Sequence, residues 1–262
     1  MKRPINTFFA ALSYFTIVPS PRWISFSEDS LNRASGLFPL IGTLVGTVGA
    51  IVFLTANLIL PLSISIVLSM VSTVLLTGAL HEDGFADFCD AFGGGWNKEK
   101  ILSIMKDSRL GTFGTLGLSL ILLLKYLTLS EINSQSFVLI LITGHTLSRF
   151  ISGTMIYTHS HAYDLSDTKD LPTEIQKSKP LATKMTIQQL ILSATLGLWP
   201  LILFFDPFIA IVPVLLYLIK LYFASYIVRW IGGYTGDCLG ALQQITEIIF
   251  YILMVTYPWT FI

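Results

Sequence analysis

The sequence predicts an all-α fold, a polytopic bundle of about seven transmembrane helices with interfacial amphipathic helices beside them, and three observations carry that prediction. Of 262 residues, 53% are hydrophobic and only 12% charged. The mean hydropathy is +0.71. The apolar residues also gather into runs close to the roughly 20 residues that a helix needs to cross a bilayer, the one open-chain structure that satisfies its backbone in lipid. A formal net charge of zero supplies no basic field for nucleic acid. Cys89 and Cys238 fall in polar connections and form no CxxC pair, so neither a disulfide nor thiolate metal ligation is expected.

The first element places Ile5, Phe8, Phe9 and Leu12 on one side, the spacing of an amphipathic helix lying on the membrane, and Pro19 and Pro21 end it. Lys2 and Arg3 ahead of an apolar stretch resemble a signal peptide only superficially, because no small-residue cleavage site follows, and the segment is read as retained. Crossings are then expected at about 38–60, 61–80, 111–130, 136–158, 186–205, 207–230 and 244–262. Residues 1–262 are read as one integral membrane catalytic domain. Lys2, Arg3, Arg22, Arg33, Lys98, Lys100, Lys106, Arg109, Lys169, Lys177, Lys179, Lys184 and Arg229 all fall on one side of this topology. The opposite connections, near Pro61, Glu131 and Asp206, hold neither Lys nor Arg, so the positive-inside rule turns the N-terminus and the loops 81–110, 159–185 and 230–243 to the cytoplasm. Three cations remain inside spans. Lys125 is read as snorkelling, Lys220 as snorkelling or pairing with a neighbouring helix, and Arg149 equally as a helix-pairing group or a ligand for substrate phosphate.

The chemistry concentrates in three stretches. In His81-Glu82-Asp83-Gly84-Phe85-Ala86-Asp87-Phe88-Cys89-Asp90, the residues Asp83, Asp87 and Asp90 stand at i, i+4 and i+7. On a helix turning about 100° per residue they share one face. Three carboxylates that close repel unless a cation lies between them, and a hard, oxygen-seeking ion such as Mg²⁺ suits the set. Glu82 points about 100° away from Asp83, toward an outer position or solvent. The second stretch, Lys106 to Gly114, follows a short helix capped by Asn97 and brings Lys106, Ser108, Arg109 and Thr112 to the start of a span, a pattern that suits phosphate. The third, Gly232-Gly233-Tyr234-Thr235-Gly236-Asp237-Cys238-Leu239-Gly240, reads both as a close-approach backbone and as a helix-packing site, with Asp237 and Glu247 as further metal or substrate contacts. His159 and His161, at i and i+2, are a poor ligand pair and are assigned no metal.

These motifs together resemble the adenosylcobinamide-GDP ribazoletransferase (cobalamin synthase) family. The matching pieces are His81-x-Asp83-Gly84-x-Ala86-Asp87-x-x-Asp90, Ile104-Met105-Lys106-Asp107-Ser108-Arg109-Leu110-Gly111-Thr112 and Thr235-Gly236-Asp237-x-Leu239-Gly240-Ala241, with Phe38-Pro39-Leu40-Ile41-Gly42 nearer the start. Gln244 departs from the family pattern, where an acid is common. The resemblance implies the last assembly step of the corrinoid pathway in a prokaryotic cytoplasmic membrane. The 5′-hydroxyl of α-ribazole, or of its 5′-phosphate, attacks the β-phosphoryl group of adenosylcobinamide-GDP, and GMP leaves. In that reading Asp83, Asp87, Asp90 and Asp237 hold Mg²⁺, Lys106, Arg109, Thr112, Thr235, Gly236 and Arg149 contact the substrates, and Asp87 and Asp90 are catalytic, with Asp90 as the base. The implied partners are the corrinoid nucleotide, α-ribazole and the lipid bilayer; a homo-oligomer or a complex with other cobalamin-pathway enzymes is compatible with it. A CDP-alcohol phosphotransferase is the alternative enzyme, and its motif has a longer spacing before a second aspartate pair. A transporter is a further alternative, against which the one-sided placement of the acids argues.

Overall fold

The computed structural model describes residues 2–22, 24, 28–107, 109–162 and 184–256. Apart from one β-bridge between His161 and Tyr234, these form helices and their connections. Helix α1 (Lys2–Phe15) is the expected surface helix, but it buries a different side. Ala10, Ala11 and Phe15 pack against Phe38, Ile41 and Val45, while Ile5 stays 51% exposed. After α2 (Glu28–Ala34), Pro39 in the first turn starts α3 (Phe38–Ala56), where proline's missing N–H costs nothing. Gly42 and Gly46 let α3 lie directly on α8 (Ser134–Thr158): a Cβ on Gly46 would stand 2.8 Å from Ile142 Cα.

Helix α4 (Leu62–Thr77) ends at Gly78 and Ala79, which take left-handed φ values of 62° and 58°. Their N–H groups donate to the carbonyls of Leu75 and Val74, closing the helix end. The turn sets α5 (Leu80–Gly94) at 87° to α4. The acidic motif is helical, as its spacing predicts, and the structure packs this helix of the 81–110 connection against α7 (Thr112–Ser130) and α11 (Gly236–Thr256). Between α5 and α7 runs the short helix α6 (Lys98–Ile104), and Asn97 caps it as expected, accepting from Lys100 N at 2.8 Å. Helix α9 (Ile187–Leu198) opens with a capping box between Thr186 and Gln189, and α10 (Ile211–Ile231) ends at Gly232.

Among the described residues, five helical stretches are long and apolar enough to cross a membrane: Ser30–Ala56, Thr112–Ser130, Ser134–Thr158, Pro207–Ile231 and Gly236–Thr256. The bent pair α4 and α5 makes a sixth if it is one broken span. Seven separate crossings therefore become five or six. The expected crossing at 186–205 is the shorter element Ile187–Leu203, where Pro200 follows α9 and the chain tightens into a 3₁₀ turn. The last crossing starts at Gly236 rather than 244, because Asp237 sits in its first turn, where a carboxylate complements the helix dipole. Residues 257–262 lie outside the described residues.

The largest core joins Phe53, Ile66, Leu129, Phe137, Ile140, Leu141, Phe250 and Tyr251, with the Phe53 and Phe137 rings stacked at 3.7 Å. A second gathers Ile101, Met105, Met155, Ile227, Ile231, Tyr234, Cys238 and Leu242 around the ends of α8, α10 and the start of α11.

Candidate active site

The site is built where α5 meets α11 and α7. On α5, Asp83 is exposed and Asp87 and Asp90 are half-buried, while His81, Glu82, Phe85 and Ala86 turn inward. Gly84 is the contact with α11: a Cβ there would stand 3.1 Å from Asp237 Cα. A side chain at 84 would push the helices apart, so glycine sets the Asp83 turn of α5 against the Asp237 turn of α11. Asp87 lies within electrostatic reach of Asp83, Asp90 and Asp237. The carboxylates of Asp83 and Asp87 have neither a hydrogen bond nor an ion pair among the described residues. Like charges gathered without a cation repel, and a divalent ion or a cationic group resolves that.

Asp90 is engaged differently. Its two carboxylate oxygens accept from Gly111 N at 2.7 Å and Gly114 N at 2.8 Å, which makes it the cap of α7. Both oxygens hold backbone donors, so the carboxylate is fixed in place by the helix start that it caps. Thr112 lies beside it, lining with Leu110, Gly111, Thr115 and Leu116 an open surface pocket of about 360 Å³.

Among the described residues no three His, Cys, Asp or Glu side chains close to the spacing of a preformed metal cage. Magnesium does not require one: it is held by one or two carboxylates and completes its shell with water and substrate phosphate. Asp83, Asp87 and Asp237, the first two with carboxylates unpartnered among the described residues, fit a divalent cation of that kind.

The expected phosphate ligands separate into two groups. Lys106 and Arg109 are exposed near the pocket, and Ser108 lies outside the described residues. Asp107 holds the Arg109 guanidinium through Oδ1 to Nε at 2.9 Å and Oδ2 to Nη2 at 2.5 Å. These hydrogen bonds keep the Asp107 carboxyl down at about 2. Gly236 is exposed with no atom within 4 Å of a Cβ placed on it, so the flank of Asp237 is open. Gly233 and Gly240 pack against backbone, so the glycine-rich stretch serves both expected purposes. Thr235 does not reach the open side: it is buried, accepts from Cys238 N at 3.3 Å, and donates toward Met105 Sδ at 3.5 Å.

Arg149 is also enclosed. Its Nη1 donates to His145 O at 3.0 Å and lies 3.9 Å from Glu247 Oε2. Arg149 thus pairs α8 with α11. Lys125 does not snorkel; at 2% exposure it forms an ion pair with Glu247. Glu247 stands apart from Asp237 as the hub of a buried cluster, receiving Gln243 Nε2 at 2.5 Å and Tyr251 Oη at 3.2 Å, with His145 Nδ1 at 3.2 Å. Lys220 pairs across helices as expected, donating to Thr158 Oγ1 at 2.6 Å.

Sequence reasoning missed Gln243 and His145, and it left Gln244 as a departure and Glu82 between two positions. Glu82 is buried and accepts from Gln244 Nε2 at 2.9 Å. The available signal was depth: Lys125, His145, Arg149 and Glu247 are ionisable residues of both signs within spans, and such groups pair. Tyr14 was missed as well. Partial burial and the charge of Asp237 raise its phenol above the usual range. From there rings continue inward, Phe15 on Phe38 at 4.3 Å and Phe38 on His81 at 5.6 Å.

Fold and site define a multi-pass membrane protein whose unpaired carboxylates gather where two helices touch at glycine. The chain belongs to the cobalamin-5-phosphate synthase family, whose model matches residues 7–255. It is 43% identical over 255 residues to an adenosylcobinamide-GDP ribazoletransferase of Shewanella frigidimarina, covering 96% of this chain and 95% of the relative. Proteins of the same description from Shewanella amazonensis and Shewanella oneidensis are each 42% identical, with 97% and 96% of this chain covered and 96% and 94% of the relatives. No solved structure matches the chain.

Proposed function

We propose that this protein is a membrane-embedded adenosylcobinamide-GDP ribazoletransferase that works through a divalent cation, Mg²⁺, held at the meeting of α5 and α11. The ribazoletransferase activity rests on membership of the family and on relatives of that description covering nearly the full chain; the CDP-alcohol and transport alternatives are not favoured. The observation that carries the metal reading is the pair Asp83 and Asp87, which share one face of α5, oppose Asp237 and have no cationic partner among the described residues.

An acceptor hydroxyl attacks the β-phosphorus of adenosylcobinamide-GDP; the new P–O bond forms as the bond to the GMP phosphate oxygen breaks. The family description names a 5-phosphate product. An acceptor phosphorylated at C5′ has no free 5′-hydroxyl, so the nucleophile is another ribose hydroxyl, which corrects the sequence expectation. A bound divalent cation supplies charge neutralisation at the diphosphate. Asp83, Asp87 and Asp237 would hold it. Lys106, Arg109 and Thr112 line the exposed approach and are placed to orient phosphate oxygens, with Gly236 leaving room beside Asp237. Asp90 fixes α7 against α5, and the hydroxyl proton passes to Asp87 or to water beside it. The positive-inside pattern supports a cytoplasmic-facing site in the prokaryotic inner membrane.

The test is turnover of purified protein in liposomes with adenosylcobinamide-GDP, α-ribazole or its 5′-phosphate, and Mg²⁺, following GMP and the corrinoid product. Product formation that stops on chelation and returns with Mg²⁺ supports both parts. Turnover indifferent to chelation removes the metal; absence of turnover in folded protein with either acceptor removes the transferase.

A further inference from the structure

Beneath the exposed acids lies a continuous buried polar spine. Glu82, the sequence neighbour of Asp83, is 7% exposed and accepts from Gln244 Nε2 at 2.9 Å. The same Gln244 amide donates to Gln243 Oε1 at 3.0 Å. Gln243 in turn donates to Ser148 Oγ at 3.0 Å and to Glu247 Oε2 at 2.5 Å. Glu247 is ion-paired with Lys125 of α7 and faces His145 and Arg149 of α8. One chain of contacts therefore ties α5 to α11, α7 and α8.

Among the described residues, one side-chain hydrogen bond joins this spine to α5. Glu82 Oε2 and both ring nitrogens of His81 are buried without a hydrogen-bond partner, so Glu82 Oε1 to Gln244 is the polar contact that fixes the first turn of α5. On one side of that turn is Gly84, pressed on Asp237; next to it is Asp83. We infer that Glu82 is a positioning residue: its bond to Gln244 sets the rotation and depth of α5 on α11, and thereby the spacing of Asp83 from Asp237. Groups of this kind, one contact behind the ligands, change metal affinity or activity by about 10–100-fold when removed. This inference rests on the reading of the acid cluster as the catalytic site.

The experiment compares wild type, Glu82→Gln, Glu82→Ala and Gln244→Leu in detergent or liposomes by three measurements: Mn²⁺ binding followed by EPR, steady-state turnover, and thermal unfolding. Glu82→Gln keeps an amide oxygen for Gln244, so it is expected to stay within about threefold of wild type in Mn²⁺ affinity and kcat. Glu82→Ala and Gln244→Leu remove the bond from opposite sides and are expected to weaken Mn²⁺ by about 10–100-fold, with kcat falling alongside. Unchanged Mn²⁺ affinity and kcat in a folded Glu82→Ala protein overturn the inference. So does a Glu82→Gln protein as impaired as Glu82→Ala, since the charge rather than the contact is then at work. If wild type turns over without binding Mn²⁺, the metal reading fails on its own, and kcat of the same variants still decides the role of Glu82.

Discussion

Two groups of charges lie within a few turns of each other on α5, α7, α8 and α11, and they are treated in opposite ways. In the buried group, Lys125, Arg149, His145 and Glu247 lie at most 3% exposed and answer one another. In the open group, Asp83 and Asp87 face outward with no partner among the described residues. Residue type does not separate the two, since both contain carboxylates. Partnering does. A charge enclosed in a bundle must be paired, because desolvation without a counter-charge costs several kcal/mol per ion. A charge kept at the edge retains water until a ligand displaces it, so unpaired acids held close together there mark a binding function, and paired acids inside mark architecture.

The largest effects break this contrast if it is wrong. Asp87→Asn is expected to lower GMP release by about a thousandfold or more, through loss of a ligand at the phosphate centre, while the unfolding temperature stays at or above that of wild type. Normal turnover in folded Asp87→Asn removes the open group from catalysis. Glu247→Leu is expected to act the other way: leaving Lys125 and Arg149 buried without their anion destabilises by about 3–5 kcal/mol, seen as a fall in unfolding temperature and in yield of folded protein. A Glu247→Leu protein with wild-type stability and no activity places Glu247 in the site instead.

Asp90 stands between the two groups and sharpens the comparison. Asp90→Ala deletes the acceptor for Gly111 and Gly114 and is expected to cost about 1–2 kcal/mol of stability. Asp90→Asn keeps one carbonyl oxygen for the cap, so turnover is expected to remain within about tenfold of wild type. Abolished turnover in a stable Asp90→Asn protein restores it as the base.

The smallest effect belongs to Asp107. Arg109 holds its carboxyl at about 2, below the unfolded value of about 3.9. A depressed carboxylate contributes above its unfolded pKa and loses that contribution as pH falls through the folded one, so the pair persists at neutral pH and is lost between about pH 4 and 2. Both groups are exposed, and exposed pairs contribute little. Asp107→Asn is therefore expected to change turnover less than about threefold at pH 7; a larger change shows that Asp107 controls access of Arg109 to substrate.

Much of the fold and part of the site are legible without coordinates. Apolar runs announce membrane helices because lipid leaves the backbone no other partner, and most of the expected crossings coincide with long apolar helices. The shared face of Asp83, Asp87 and Asp90 follows from helical periodicity, and the cap at Asn97 from its local chemistry. These are short-range properties, set within one or two turns. What tertiary structure alone decided are relations between distant segments: that Gly84 meets Asp237, that Asp90 caps a helix more than twenty residues away, that Arg149 and Lys125 converge on Glu247, and that Glu82 turns inward to Gln244. The physical reason is that hydrogen bonds and ion pairs act over a few ångströms of space, whereas periodicity reports only the face on which a residue lies and not which helix will cover it.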